Sequence, residues 1–139
     1  ISGGLDPIHV GHVKMIQAAA QLGDVIVVLN SDAWLKRKKG YVFMPYRERK
    51  YLLEQLKGVT EVSAVDDTDG TVCEAIRRIK PDFYANGGDR KKTNTPEVDV
   101  CNQLGIELLW GVGGTSKTES SSDLVERVRV RTEIRHSDR

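Results

Sequence analysis

Ten residues near the start of the chain, GGLDPIHVGH, combine glycines, an aspartate and two histidines. His9 and His12 are three residues apart at the expected start of a helix, so their side chains share one helical face. Imidazoles placed in this way can donate hydrogen bonds to phosphate oxygens and stabilise charge that develops on a reacting phosphorus. Metal binding, which would need a third ligand that is missing nearby, and a structural role are the alternatives.

The glycines before the histidines predict a turn in which the backbone can approach a ligand closely. Gly3 and Gly4 allow the backbone to come near a ligand and to adopt positive φ angles. The helix that follows would offer free N–H groups and the positive end of its dipole to an anion. The glycine pattern alone is weak evidence, because GGLD matches neither GxGxxG nor the P-loop. With the histidines, it predicts a phosphate-binding turn.

Alternating apolar runs and helical patterns predict the elements that position this turn. Predicted strands cover 24–30, 59–65, 82–86 and 106–110, and predicted helices cover 10–23, 45–58, 71–80, 95–105 and 120–130. Segment 31–43 is predicted as a short helix or loop. Helix-end signals include Gly23 as a C-cap, Pro45 as a first helical residue, and Thr71 with Glu74 as a capping box.

The alternation of strands and helices predicts an α/β fold, a three-layer Rossmann-like parallel sheet with helices on both faces. Ligands of such sheets bind beyond the carboxyl ends of the strands, where the opening turn is expected to lie. We expect one nucleotide-binding domain over 1–130 and a basic tail over 131–139. Because the sequence starts without Met and without a signal-peptide pattern, we also expect that part of the first strand is missing.

Composition excludes several classes of protein. The 139 residues are 39% hydrophobic and 29% charged with a net charge of +1, which is typical of a globular domain. No apolar run approaches the length of a membrane span, so no membrane association is expected. Cys73 and Cys101 lack the spacing of a zinc site or a disulfide framework, which favours a reduced, cytoplasmic protein.

Two basic segments raise the question of nucleic acid. LKRKKG places four cations in a row at 36–39, and the tail adds more. No aromatic residues interleave with either segment as single-strand binding would require. A solvated face is the alternative for both, and we expect no nucleic-acid partner.

The opening stretch resembles the GxFDxxHxGH motif of the cytidylyltransferase-like nucleotidyltransferases, with Leu5 where Phe is usual. NSDAWLKRKKG, MPYRERKYLLEQLKGVTEV, IKPDFYANGGD and ESSSDLV resemble, in order, later blocks of the sugar-phosphate branch of that family. That branch includes the heptose 1-phosphate adenylyltransferase domain and, more distantly, glycerol-3-phosphate cytidylyltransferase. The resemblance covers nearly the whole chain apart from the tail.

The resemblance implies transfer of a nucleotidyl group from a triphosphate, ATP ahead of CTP, to a sugar or polyol phosphate with release of pyrophosphate. It implies catalytic roles for His9, His12 and Lys39, and contacts of Lys36 and Arg49 with substrate phosphate. Arg47 lies on another helical face and is a weaker candidate. The implied nucleotide-binding residues are Gly3, Gly4, Leu5, Asp6, Gly11, Gly88, Asp89, Ser120, Ser121 and Ser122.

Some of these residues have simpler alternatives. Asp89 could accept from ribose hydroxyls or a base amine, or only cap its own turn. The three serines at 120–122 could cradle the β and γ phosphates, although N-capping alone would need one of them. The chain departs from the family pattern at Thr115, where the cytidylyltransferases carry an arginine that Lys117 would replace.

The resemblance also implies partners. Magnesium is expected to accompany the triphosphate, and no carboxylate cage for it is evident in the sequence. A homodimer is expected. A catalytically silent nucleotide-binding module is the competing hypothesis, and the presence of His9, His12, Lys39 and Ser120 together argues against it.

Overall fold

The computed structural model describes residues 1–88 and 95–114. The elements are, in chain order, β1 (Ser2–Gly3), α1 (Val10–Ala20), β2 (Val25–Leu29), α2 (Asp32–Lys39), α3 (Tyr46–Glu54), β3 (Val59–Ser63), α4 (Cys73–Ile79), β4 (Phe83–Ala85), α5 (Thr95–Leu104) and β5 (Glu107–Leu109). The predicted helix at 120–130 lies outside the described residues. Across the described ranges, no helix has the length and apolar character needed to cross a membrane.

All strand pairs are parallel, as the alternation of elements predicts. β2 lies between β1 and β3, with Val28 opposite Ser2 on one side and Ser63 on the other. β4 pairs with β5 as a separate ladder. A 2.6 Å hydrogen bond between the Ser2 and Tyr84 hydroxyls joins β1 to β4. Since β1 has two residues, side chains rather than a backbone ladder connect the two groups of strands.

Helices cover both faces of the sheet, which confirms the predicted three layers. Alternate residues of a strand point to opposite faces. On one face the core contains Val25, Val27 and Leu29 of β2 with Ile16 and Ala19 of α1 and Leu53 of α3. On the other face it contains Val28 with Cys73 and Ile76 of α4, Tyr84 of β4, and Val100 and Cys101 of α5.

Two predicted helix ends are shifted. Gly23 was expected to cap α1, but the helix ends at Ala20, and the N–H of the C-cap Gln21 already donates back to the last turn. Pro45 is the N-cap of α3 and not its first helical residue. The predicted end of α5 is confirmed, since Gly105 follows Leu104 with φ of +70°.

The predicted capping box of α4 is wrong. Val72 occupies the N-cap, without a side-chain cap. The Thr71 hydroxyl accepts from the Cys73 N–H at 3.2 Å. Glu74 does not reach back to the helix start, because its carboxylate accepts from the Asp66 N–H at 3.0 Å and from Arg78 at 2.8 Å.

Candidate active site

The two histidines of the opening turn lie against each other, as their spacing predicts. His9 is the N-cap of α1, and its Nδ1 accepts from the Gly11 N–H at 3.0 Å. His12 completes a reciprocal capping box, because its Nδ1 accepts from the His9 N–H at 3.1 Å. The rings stack with centroids 3.8 Å apart and planes inclined by 23°. The helix start therefore orients both imidazoles.

This arrangement assigns a tautomer to each ring. A neutral imidazole has one N–H donor and one acceptor, and Nδ1 is the acceptor in both histidines. The proton of each neutral ring must then reside on Nε2. The pair places two Nε2–H donors at the start of α1, and these are the groups that phosphate chemistry requires.

His12 is neutral at physiological pH. Burial, followed by repulsion from a charged His9 ring, lowers the pKa of His12 from 6.5 to about 4. The ring can therefore donate a hydrogen bond at pH 7 without carrying a positive charge. It differs in this respect from an exposed histidine, which would be partly protonated near neutrality.

The lowered pKa predicts a pH-dependent stability. Between pH 6.5 and about 4 the unfolded chain binds a proton at His12 that the folded chain does not, so folding stability falls as the pH falls through this window. Between pH 7 and 5 this group should remove on the order of 1–2 kcal/mol. Urea unfolding of the wild type and His12→Asn at both pH values tests this, because the variant should lose less stability. Equal losses would contradict the prediction.

The sequence predicts free backbone N–H groups at the start of α1, but the structure shows that these groups already donate hydrogen bonds. The N–H groups of His9 and Gly11 donate to the two imidazoles, and the N–H groups of His12 and Val13 donate to the His9 carbonyl. The histidine rings therefore stand where an anion was expected to meet bare N–H groups. This correction increases the importance of the imidazoles, since they would present hydrogen-bond donors in place of the backbone.

In this turn, the small size of glycine matters more than its ability to adopt unusual dihedral angles. Positive φ was expected at Gly3 and Gly4, but in this turn it occurs at Leu5, with φ of 51°. A Cβ on Gly4 would lie 2.7 Å from Leu35 of α2. A side chain at Gly4 would therefore displace Leu35, because α2 packs directly on the turn. Leu5 itself is buried in the core, and its side chain does not line a binding surface.

Asp6 connects the turn to the segment after α2. Its buried carboxylate accepts from the N–H groups of Phe43, at 2.7 Å, and Met44. Lys39 Nζ donates to the Asp6 carbonyl at 2.7 Å and lies 3.9 Å from the carboxylate. The structure thus brings Lys39 to the histidine turn. The Asp6 carboxylate, predicted to line the nucleotide site, instead anchors the 43–44 backbone.

The structure corrects the prediction for Arg49. Its side chain is fully buried and was expected to bind substrate phosphate. The guanidinium instead donates to the carbonyls of Met44, Gly4 and Asn30 at 2.7 to 2.9 Å and to the Asp32 carboxylate at 2.7 Å. Arg49 therefore joins the ends of β1 and β2 to α2 and α3, and these contacts use four of its five N–H donors. Arg47, the weaker candidate, is exposed.

The other cations of α2 differ in their surroundings. Lys36 is exposed, while Arg37 donates to the Asp67 carbonyl at 2.7 Å. Burial alone would raise the pKa of Asp67, but hydrogen bonds from Ser31 and Asn30 outweigh it and hold that pKa below its usual value. Sequence reasoning did not single out Asp67, which ties the ends of β2 and β3 together. No motif in the sequence marks it.

Two buried donors at the carboxyl ends of β4 and β5 were also missed. Asn86 Nδ2 and Trp110 Nε1 have no hydrogen-bond partner among the described residues. Buried donors without partners are uncommon in proteins and mark sites where a ligand could complete the bonding. The indication that the sequence offers is their position, because each is the last residue of a predicted strand. The nearby Gly88 carbonyl accepts from the Gly111 N–H at 3.0 Å.

Some predicted site residues lie outside the described part of the chain. They are Asp89, Ser120, Ser121 and Ser122, together with Thr115, Lys117 and the tail at 131–139. Within 1–88 and 95–114, no three His, Cys, Asp or Glu side chains lie close enough together to hold a metal ion.

The family follows from a match over most of the chain. The sequence model described as cytidylyltransferase-like matches residues 1–127, from the first strand through most of the predicted last helix. The chain belongs to the cytidylyltransferase-like family. Membership confirms the predicted family and fold. The histidine pair of this cytidylyltransferase-like domain thus lies in a family where nucleotide chemistry is expected.

Similar proteins support the same conclusion. This cytidylyltransferase-like chain is 38% identical over 131 residues to Bifunctional protein HldE of Nitratiruptor sp. and 33% identical over 132 residues to that of Streptomyces coelicolor. These matches cover 92% and 91% of this chain but only 27% and 28% of the relatives. The chain therefore spans about a quarter of the length of the curated relatives it matches.

A solved structure has the same fold. The lipopolysaccharide core biosynthesis protein from Thermoplasma volcanium superposes with a TM-score of 0.65 at 25% sequence identity. The match covers 85% of this cytidylyltransferase-like chain and 94% of that protein. The sheet and helices described here therefore form a fold found in a protein of nearly this length.

Proposed function

We propose that this chain transfers a nucleoside monophosphate from a triphosphate, ATP ahead of CTP, to a sugar or polyol phosphate. A phosphate oxygen of the acceptor attacks the α-phosphorus, the bond from the α-phosphorus to the bridging oxygen breaks, and pyrophosphate leaves. The observation that carries the proposal is the stacked pair of His9 and His12, which caps α1 and has both protons assigned to Nε2.

The proposed chemistry needs alignment and charge stabilisation more than a base. The acceptor oxygen is already anionic, so no proton has to be removed from it. The Nε2–H groups of His9 and His12 would donate to oxygens of the triphosphate as negative charge accumulates in the pentacoordinate state. A neutral His12, with a pKa of about 4, keeps this donor role throughout the neutral pH range.

Lys39 is the cation that we propose neutralises both anionic substrates. Its Nζ lies at the histidine turn, bonded to the Asp6 carbonyl, and its side chain is 17% exposed. A lysine held in this way is a point charge that can move between the carbonyl and a phosphate. Exposed Lys36 on the same helix is a second phosphate contact in this proposal.

We place the nucleoside at the ends of β4 and β5. Support comes from the two donors without partners, Asn86 Nδ2 and Trp110 Nε1, which lie at the carboxyl edge where such sheets bind ligands. The roles of Gly88 and Asp89 next to the nucleoside, and of Ser120–Ser122 around the β and γ phosphates, stay predictions.

Magnesium, oligomeric state and location complete the proposal. Magnesium would arrive with the triphosphate and be held mainly by phosphate oxygens, since the described residues include no three-ligand cluster. A homodimer is supported by exposed apolar side chains on α3, Tyr51 and Leu52. The reduced thiols of Cys73 and Cys101 support a cytoplasmic protein.

A coupled assay of pyrophosphate release tests the function. The protein is incubated with magnesium, either ATP or CTP, and a panel of sugar and polyol phosphates. We expect release with one triphosphate and one acceptor class. Tight triphosphate binding without release across the whole panel would instead support a silent nucleotide-binding module.

Gly11→Ala should impair turnover more than stability. A Cβ at this position would lie 2.9 Å from His9 Cε1, so the ring that caps α1 must move. Loss of the cap costs about 1 kcal/mol, and the better helix propensity of alanine offsets a similar amount. We expect little change in the free energy of unfolding but a fall of roughly tenfold or more in kcat.

Gly23→Ala is the matched control, because a Cβ there meets nothing within 4 Å. It should keep wild-type kcat. Unchanged turnover in Gly11→Ala would show that the position of the His9 ring does not matter to the reaction.

A further inference from the structure

The loop between β3 and α4 is hydrogen-bonded along one face of α2. Ser31, the N-cap of α2, donates to the Asp67 carboxylate through its N–H at 2.8 Å and through its hydroxyl at 2.7 Å. Trp34 Nε1 donates to the Gly70 carbonyl at 3.1 Å, and Arg37 donates to the Asp67 carbonyl at 2.7 Å. Because Ser31, Trp34 and Arg37 follow each other at intervals of three residues, they lie on one side of the helix.

Another face of α2 lies against the histidine turn. Leu35, the one buried side chain of this fully described helix, packs on Gly4, where an added Cβ would lie 2.7 Å from Leu35 Cδ2. Lys39, one turn further along, donates to the Asp6 carbonyl at 2.7 Å. The helix is therefore held between the β3–α4 loop on one side and the turn on the other.

Polar contacts decide where α2 lies, because it has little apolar surface with which to hold its position. Leu35 supplies one buried anchor near the middle of the helix, and a single anchor leaves the helix free to tilt about it. Asp67 is 4% exposed, so water cannot easily replace its hydrogen bonds to the helix start. The bonds of Trp34 and Arg37 extend the support of the loop towards Lys39.

We propose that the β3–α4 loop fixes the position of α2 and so holds Lys39 at the histidine turn, with Asp67 and Trp34 as positioning residues. This inference deepens the proposed function and rests on it for the role of Lys39. Without the loop contacts, the last turn of α2 would open more often, and fewer molecules would present the Lys39 ammonium group to an anion.

Acetylation of the whole chain with acetic anhydride, resolved by residue with mass spectrometry, tests the position of Lys39 without any substrate. An amine that is hydrogen-bonded and 17% exposed should react more slowly than exposed Lys36 on the same helix. Asp67→Asn should raise the ratio of the Lys39 rate to the Lys36 rate roughly fivefold, because the amide has one acceptor oxygen instead of two. Trp34→Phe, which lacks the Nε1–H donor, should raise it about twofold.

Asp69→Asn is the matched control, because it makes the same change in the same loop. The Asp69 carboxylate accepts from the N–H and the hydroxyl of Thr71 at 2.8 and 2.9 Å, so the variant should keep the wild-type ratio. Circular dichroism checks folding, and Trp34→Phe alone decides if Asp67→Asn does not fold. Equal rates of the two lysines in the wild type would overturn the inference, as would a wild-type ratio in every folded variant.

Pyrophosphate release distinguishes this inference from the proposed reaction. Asp67→Asn should lower kcat/KM about tenfold in the wild-type background but less than about twofold in Lys39→Ala, because it acts through that lysine. Equal losses in the two backgrounds would overturn the inference and leave the transfer reaction intact. A raised acetylation ratio in a protein without any turnover would leave the inferred role of the loop intact and overturn the transfer reaction.

Discussion

His12→Asn should lower kcat for pyrophosphate release by about 10²–10³-fold with only a small loss of stability. The asparagine Oδ1 can replace Nδ1 as the acceptor of the His9 N–H, which lies 3.1 Å from His12 Nδ1 in the wild type. The variant therefore keeps the capped helix start and lacks the Nε2–H donor. The loss should fall mainly on kcat, because this donor acts where charge develops in the transition state.

His12→Gln is the companion variant, since its longer side chain can return an amide N–H to the region of Nε2. It should recover part of the lost activity. His12→Ala should be the least active of the three because it removes both the donor and the cap. Steady-state kinetics with circular dichroism as a folding check would decide the matter, and near-normal turnover of His12→Asn would remove this residue from the chemistry.

Arg49→Met should cause the largest stability loss that we expect from a single substitution, about 3–5 kcal/mol in the free energy of unfolding. Methionine fills much of the space but leaves three backbone carbonyls and the Asp32 carboxylate without their donor. The carbonyls account for most of the cost, because water cannot easily replace a donor at a buried acceptor, whereas the Asp32 side chain is 41% exposed and can be hydrated. Denaturant unfolding measures the effect.

Arg49→Lys tests the role of the planar fork. An ammonium group is a point charge with three donors and cannot reproduce the four hydrogen bonds of the guanidinium, so most of the loss should remain. Arg47→Met, on the exposed face of the same helix, should change stability by no more than about 0.5 kcal/mol. A stable Arg49→Met protein that had lost affinity for substrate phosphate would restore the role first predicted from the sequence.

The contrast between the histidines and Arg49 shows what sequence patterns could predict. The spacing of His9 and His12 alone implies a shared helical face, because the geometry of one helical turn is local. Arg49 lies in a block that resembles a phosphate-binding motif, yet a guanidinium fork suits carbonyl oxygens as well as phosphate. Burial of the side chain distinguishes the two roles, and that burial depends on how α3 packs on β2 and β3.

The capping box of α4 failed for a related reason. Thr71 and Glu74 have the required spacing, but Arg78 and the Asp66 N–H compete for the Glu74 carboxylate. Asn86 and Trp110 were not predicted as site residues, because nothing in the sequence distinguishes them from other residues at strand ends. Their significance comes from two donors that are buried without partners at neighbouring strand ends.

By itself, the sequence determined the alternation of parallel strands and helices, the location of the turn at the carboxyl edge, and the pairing of its two imidazoles. These features depend on periodicity and on contacts within one turn of chain, which residue spacing encodes directly. The tertiary structure alone decided that Arg49 and Asp6 are internal anchors and that Lys39 lies at the histidine turn. Burial and the competition for hydrogen-bond partners arise between elements distant in sequence, so no local pattern contains them.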